Sequence, residues 1–321
     1  MHDDNIIFRK VNNSKNYIYY TINNKHINDK LVLDKIKKIY IPPAYIDVKI
    51  YLDQDVLATG IDIAGRKQYV YSENSKKKRE LRKYCQLVKL GKNISKLKKK
   101  INDDLLLKTL SHNKIIALIL KIMDLCNFRG GNKKYEERYG SYGLTTLHKK
   151  HIIIKDDHVE IDFVGKKGIN NNCIIKNEHI QDIIKKVYKT ATLRDPYIFK
   201  NISMYDLNKY LDQFDITSKD LRTWNANIIF LKNLKTEIIN IDDNKYISLK
   251  IKKKVIREAI KKTAVLLHHT PSICKSSYIY KNIITYIEEN DKIMDELLNP
   301  NVHFEKLLKY ILSKNNYHKN C

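Results

Sequence analysis

The chain reads as an α+β protein. A small β-rich N-terminal domain precedes a larger, mainly α-helical domain that carries a three-stranded antiparallel sheet. Three observations predict this. The first eighty residues hold short segments rich in Ile, Val and Tyr, separated by turn residues. The run SKKKRELRK (75–83) then changes the texture to a polar stretch without turn residues. It places a boundary near residues 74–80 and divides the chain into domains 1–77 and 78–321. Beyond it apolar residues recur at helical spacing, interrupted by one β-like island at 151–176.

IIFRKVNNSKNYIYYTI (6–22) predicts two strands around an Asn-Ser turn, and LVLDKIKKIY (31–40) a short amphipathic helix. IPPAYIDVKIYL (41–52) and GRKQYVY (65–71) read as strands. LLLKTLSHNKIIALILKIMDLC (105–126) is helical in period, with Gly130-Gly131 suited to its end. HIIIKDDHVEIDFVGKKGINNNCIIK (151–176) predicts three antiparallel strands. Asp156-Asp157 marks the first turn, Gly165-Lys166-Lys167-Gly168 opens the next connection, and Asn170 to Asn172 reads as loop. Helical periodicity resumes in EHIQDIIKKVYKTA, MYDLNKYLDQF, KDLRTWNANIIFLKNL and KKVIREAIKKTAVLLHH, with no internal repeat.

Composition narrows the function classes. A hydrophobic content of 43% in 321 residues allows ample core. ALIL at 117–120 is far too short for a membrane span, and MHDDNIIFRK lacks the apolar core of a secretory signal. Five scattered cysteines without CxxC spacing predict reduced thiols in an intracellular protein. The excess of 61 Lys and Arg over 36 Asp and Glu leaves +25, a field that attracts polyanions, nucleic acid first. Abundant Lys, Asn, Ile and Tyr also suit an AT-rich genome, so part of that charge is ordinary surface.

Several motifs fail. GIDIAGRK (60–67) lacks the Lys-Ser/Thr that a phosphate-binding loop needs after its second glycine, and predicts a turn. Of His148, His151 and His158, the two in HKKH lack a neighbouring carboxylate in sequence, and the three read as surface histidines. No acidic cluster has two-metal spacing, so phosphodiester chemistry here would need neither metal nor cofactor.

Metal-free phosphoryl transfer by a tyrosine has definite requirements. The phenol must point in line at phosphorus, fixed cations must hold the non-bridging oxygens, and an acid must protonate the leaving alkoxide. Arginine suits the oxygens, and lysine can be the acid where the site lowers its pKa from about 10. The chain offers such a set in order: Arg129, Lys166, Arg222, His269 and Tyr278. Each has an ordinary alternative. Arg222 can pair with a carboxylate, Lys166 can be a solvated turn residue, and His269 and Tyr278 can be packing. Lys167, His268 and Tyr280 are local rivals.

The fragments NFRGGNKKYEERYGSYGLTTL, FVGKKG, SKDLRT and HHTPSICKSSY, in this order, resemble the poxvirus-type type IB DNA topoisomerases over nearly the whole chain. The resemblance implies a C-shaped clamp on duplex DNA and a transient 3′-phosphotyrosyl bond that relaxes supercoils of either sign without ATP or metal. Tyr278 would be the nucleophile, Arg129 and Arg222 the phosphate clamps, His269 a hydrogen-bond donor and Lys166 the general acid. Gln68, Tyr69, Tyr71 and Tyr135 match DNA-facing positions. Asn132 replaces a lysine, and two glycines follow Arg129 where the family has an aromatic and a glycine. The family's pentanucleotide preference is therefore not carried over.

The resemblance further implies a monomer acting on double-stranded DNA without an obligate protein partner or a membrane. It implies a viral location in the infected cell's cytoplasm or the virion. Tyrosine recombinases share the catalytic set, yet usually carry histidine where Lys219 stands, and have a helical N-terminal domain. A non-catalytic architectural DNA-binding protein would explain the charge equally well but not the five residues together.

Overall fold

The structure is a computed structural model that describes residues 6–11, 16–241, 248–314 and 321. It separates into two compact units, Met1–Lys83 and Tyr84–Cys321, which meet within one long helix.

The first unit is a five-stranded antiparallel sheet of order β2-β1-β3-β4-β5. Its strands are β1 (Ile6–Val11), β2 (Tyr17–Thr21), β3 (Ile46–Tyr51), β4 (Val56–Ile61) and β5 (Lys67–Tyr71). The Asn-Ser turn expected between β1 and β2 lies outside the described residues. Period-2 alternation puts Val48 and Ile50 of β3 inward, where they join Ile7, Ala58 and Ile36 in a small core. Ile36 is the buried residue of α1 (Lys30–Lys37), which Asp29 caps by accepting from Leu31 N at 2.8 Å. Strand β4 escaped the sequence reading because VLATGI has a threonine and a glycine in place of clean alternation. The segment read as a failed phosphate loop is the β4–β5 turn. There Asp62 accepts from Ala64 N and Arg66 N at 3.0 Å each.

The second unit begins in α2 (Glu73–Leu105) and continues through α3 (His112–Cys126), α4 (Lys133–Tyr139), α5 (Glu178–Thr190), α6 (Met204–Asp212), α7 (Ser218–Ile239) and α8 (Leu249–Leu266). A single turn, α9 (Pro271–Ile273), precedes α10 (Lys281–Glu289), α11 (Lys292–Leu298) and α12 (Phe304–Ser313). Helix α7 is central: it packs on α3, α6, α8, α11 and α12, with Trp224, Phe230, Leu231 and Leu234 fully buried. Between α4 and α5 lies the sheet β6 (Ile152–Ile154), β7 (Val159–Val164) and β8 (Asn170–Ile175), antiparallel throughout.

Three expectations are corrected here. Helix α3 ends at Asn127, in the left-handed region at φ 55°, rather than at the glycines. Gly130 and Gly131 serve close approach instead. A side chain on Gly130 would collide with the Met204 thioether, and one on Gly131 with the Gly143 backbone. The Asn170–Asn172 run is strand, not loop. Asn171 is buried, and its Nδ2 donates to Ile169 O at 2.8 Å, so a loop-like residue supports the hairpin. Finally, Cys126 is joined to Cys173 and Cys85 to Cys321, leaving Cys274 free and buried. Separations of 47 and 236 residues carry no local spacing signal, so the reading of reduced thiols fails for both pairs.

Gly143 is extended (φ −159°), yet a Cβ there would lie 2.5 Å from Gly131 Cα and 2.9 Å from Arg129 O. Gly143→Ala should therefore cost about 1–3 kcal/mol, read as a shifted urea midpoint at unchanged m-value, by forcing two backbone segments apart. An unchanged midpoint would show that the 129–131 segment yields freely.

Candidate active site

The site is built around the start of α7. Asp220 holds that end by accepting from Thr217 N (2.9 Å) and Thr217 Oγ1 (2.7 Å). Arg222, one turn in, is only 4% exposed. Its Nη2 donates to Leu267 O at 2.6 Å, satisfying a carbonyl at the C-terminal end of α8. Its Nε and Nη1 are buried without a hydrogen-bond partner among the described residues. Burial pulls its pKa down to about 10, and the groups acting on it are Tyr278, Arg129 and Cys274, with no carboxylate among them. A structural arginine in such a place pairs with an acid, because a lone buried charge costs several kcal/mol. The ordinary reading of Arg222 as half of an ion pair therefore does not describe this side chain.

Arg129 follows α3 by way of Asn127 and the fully buried Phe128, whose ring meets Phe163 edge-on at 4.9 Å. Its backbone is fixed on the other side, since Leu144 N donates to Arg129 O at 2.9 Å and Thr145 N to Gly130 O at 2.6 Å. The half-buried guanidinium acts electrostatically on Arg222, His269 and Tyr278 alike.

The third component is the segment after α8. Thr270 caps the next turn by accepting from Ile273 N (3.4 Å), and Pro271 takes the first helical position, which needs no N–H. The chain then widens into a π-helical turn, Cys274–Tyr278, closed by Ile279 N donating to Cys274 O at 3.0 Å. His269 and Tyr278 stack with centroids 4.6 Å apart, and Arg222 Cζ stands 5.4 Å from the tyrosine centroid. Burial pushes the Tyr278 phenol up, but Arg222 and Arg129 together outweigh it and leave the pKa below the usual 10. Burial, followed by the two arginines, holds His269 down at about 4, so the ring is neutral near pH 7. Neither of its nitrogens has a hydrogen-bond partner among the described residues. Two cations, a neutral imidazole and a phenol of lowered pKa thus converge around unsatisfied donors. That is the electrostatic signature of an oxyanion site.

The local rivals are otherwise engaged, although His268 also lies in the field of Arg222 and Arg129. His268, at φ 53°, packs its ring on Phe128 at 5.5 Å. Tyr280 is 4% exposed and lies against Tyr84 at 5.2 Å. Lys166 and Lys167 stand exposed on the β7–β8 turn, and no described hydrogen bond or ion pair joins either to the other four groups. Of the expected DNA-facing residues, Tyr69 (48% exposed) and Tyr71 stack on β5 at 6.2 Å, with Arg79 Cζ 3.6 Å from the Tyr71 ring. Gln68 Nε2 donates to Asp62 at 2.8 Å, and Tyr135 is 55% exposed on α4. Among the described residues no group of three or more His, Cys, Asp or Glu could hold a metal. The histidines read as surface residues are otherwise engaged: His151 is buried, and His148 meets a carboxylate distant in sequence.

Sequence reasoning missed Asn227. This fully buried side chain donates to Thr223 O (2.7 Å) and Tyr278 O (3.0 Å) and accepts from Tyr280 N (3.2 Å). It grips the backbone on both sides of the tyrosine. The available signal was an asparagine on the apolar face of α7, a position that demands partners. Asn227→Ala should cost about 1–3 kcal/mol of stability through the orphaned Tyr278 carbonyl and Tyr280 N–H. A second outcome is spectroscopic. The difference between the phenolate absorbance titrations of wild type and Tyr278→Phe should reveal a tyrosine ionising below 10, moved upward in Arg222→Ala. No such difference would mean the arginines do not act on this phenol.

Comparison with known proteins gives the same direction. Residues 72–300 match the family described as the eukaryotic DNA topoisomerase I catalytic core, and residues 16–62 the N-terminal domain of bacterial DNA topoisomerase IB. The chain is 32% identical over 308 residues to DNA topoisomerase 1B of Acanthamoeba polyphaga mimivirus, covering 90% of each. It is 26% identical over 271 residues to DNA topoisomerase 1B of vaccinia virus, covering 82% of this chain and 84% of that one. It is 27% identical over 204 residues to DNA topoisomerase 1 of Schizosaccharomyces pombe, 61% of this chain but 24% of the yeast protein. With the N-terminal sheet, the helical unit with its three-stranded sheet and the buried arginine–tyrosine site in place, the chain belongs to the type IB DNA topoisomerases.

Proposed function

We propose that the protein relaxes supercoiled double-stranded DNA through a covalent bond between Tyr278 and the 3′ phosphate of one cut strand. The observation that carries this reading is the buried, carboxylate-free pairing of Arg222 with Tyr278, joined by Arg129. The Tyr278 phenol, its pKa lowered by Arg222 and Arg129, releases its proton to solvent; its oxygen attacks phosphorus in line, a P–O bond to tyrosine forms, and the bond to the 5′ oxygen breaks. Lys166 gives that oxygen its proton, swinging in on the exposed β7–β8 turn. Arg129 and Arg222 hold the non-bridging oxygens, Arg222 through donors without a partner among the described residues, and neutral His269 donates one N–H to them. Duplex rotation about the intact strand releases torsion. The freed 5′-hydroxyl then attacks the phosphotyrosine and expels Tyr278, so the phosphodiester energy is conserved without ATP or metal.

Gln68, Tyr69 and Tyr71 on β5 and Tyr135 on α4 contact the duplex. The enzyme works as a monomer on DNA alone and belongs to a virus, acting inside the infected cell or carried in the virion. The viral relatives support that placement.

The test is relaxation of positively and negatively supercoiled plasmid in excess EDTA without ATP. Wild type should relax both signs and Tyr278→Phe neither, with the covalent adduct reduced at least about 10³-fold and DNA affinity retained. Relaxation by Tyr278→Phe would move the nucleophile elsewhere. Tight binding without relaxation by wild type would favour the recombinase or the architectural protein.

A further inference from the structure

Helix α4 starts four residues after Arg129 and has almost no attachment of its own. Six of its seven residues are exposed, among them Lys133, Lys134, Tyr135, Arg138 and Tyr139, and it buries no apolar side chain. Tyr135 and Tyr139 stack on each other at 6.0 Å rather than on the body of the protein. Glu136 is the exception, its side chain only 9% exposed. Its Oε2 accepts from Tyr197 OH at 3.0 Å, and its Oε1 stands 2.6 Å from His148 Nε2. That approach falls outside the alignment of a hydrogen bond.

The receiving end is rigid. His148 and Tyr197 face each other across an antiparallel bridge, flanked by Lys149 N donating to Pro196 O (2.8 Å) and Ile198 N to Leu147 O (2.9 Å). Their rings meet edge-on at 4.7 Å. Tyr142 closes on His148 at 5.1 Å, and His151 stacks on it at 5.5 Å while accepting from His148 N. Lys133 Nζ lies 4.7 Å from the Tyr197 ring. A carboxylate buried this deeply is costly unless partners replace water, and for Glu136 the Tyr197 hydroxyl and the His148 ring take that place.

We propose that Glu136 is a positioning residue that latches α4 to the His148–Tyr197 bridge in the DNA-free enzyme. The latch presents the Tyr135–Tyr139 face and its basic neighbours to the duplex in a preset place beside Arg129, and so contributes to the choice of cleavage sequence. This rests on the topoisomerase reading. Its energetic logic is preorganisation. If the binding-competent placement of α4 is populated only in part, apparent affinity falls by that fraction, and a charge-assisted contact can shift such an equilibrium by about ten- to a hundredfold.

The experiment compares wild type with Tyr197→Phe and Glu136→Ala. Amide hydrogen exchange across 133–139 is read in DNA-free protein, and cleavage of a long duplex is read for affinity, saturated rate and site pattern. Protection of α4 should fall at least about tenfold in both variants while the rest of the chain is unchanged. Affinity should fall about tenfold and cleavage should spread to weaker sites, with the saturated rate at the preferred site kept within about twofold. The double variant should be no worse than Glu136→Ala alone, because both remove one contact. Unchanged α4 exchange, or an unchanged site pattern with unchanged affinity, would overturn the latch. Tyr197→Phe keeps the ring packing and loses only the hydroxyl, so it decides the matter if Glu136→Ala does not fold. Exchange is measured without DNA, so a failure of the topoisomerase reading would leave it standing as a separate result.

Discussion

A buried guanidinium and a half-buried one act on a single phenol, with no carboxylate among the described groups that act on Arg222. Most of the second unit exists to hold that arrangement against its own repulsion. In a protein interior a single uncompensated charge costs several kcal/mol, and a second cation nearby adds to the cost. The Leu267 carbonyl offsets part of this cost for Arg222, while the Gly131–Gly143 approach fixes the backbone that carries the half-buried Arg129. Donors left empty in this way need no reorganisation when an anion arrives, which is where electrostatic catalysis draws most of its strength.

The same constraint explains why the tyrosine sits on a π turn. An α-helical continuation from Thr270 would rotate the ring by a different angle per residue. The wider Cys274–Tyr278 turn places it flat against His269 and under Arg222. Asn227 then pins the peptide on either side, so that α7 supplies both the cation and the brace within five residues. The Cys126–Cys173 bond adds a further tie. It links the end of α3, three residues before Arg129, to the β8 strand of the hairpin that carries Lys166.

The fold was legible wherever periodicity is local. The β1–β2 pair, the three-stranded island and the long helices all follow from spacing of two or of three to four residues. What failed depended on contacts distant in sequence. VLATGI reads poorly as a strand because its inward residue is a plain alanine, and it becomes one through its pairing with β3 and β5. The Asn triplet reads as loop until it pairs with Asp162, Phe163 and Val164 of β7. No spacing rule joins Cys85 to Cys321. Within the site, residue types and order were legible because phosphoryl transfer restricts them severely. Asn227 was not, since an asparagine in a helix says nothing until its partners are in place.

The histidines show the limit most clearly. HKKH lacked a neighbouring acid in sequence and was read as surface, but the acid comes from Glu136, twelve residues upstream. A carboxylate on a solvent-covered helix has no reason to be buried, and one that is buried must take its partners from the body of the fold. Burial at a single position of an otherwise exposed helix is thus a sharper sign of a designed contact than any local pattern, because desolvating one charge works against folding. The exposed tyrosines and lysines of α4 say what the helix meets. The buried glutamate says where it is held while it waits.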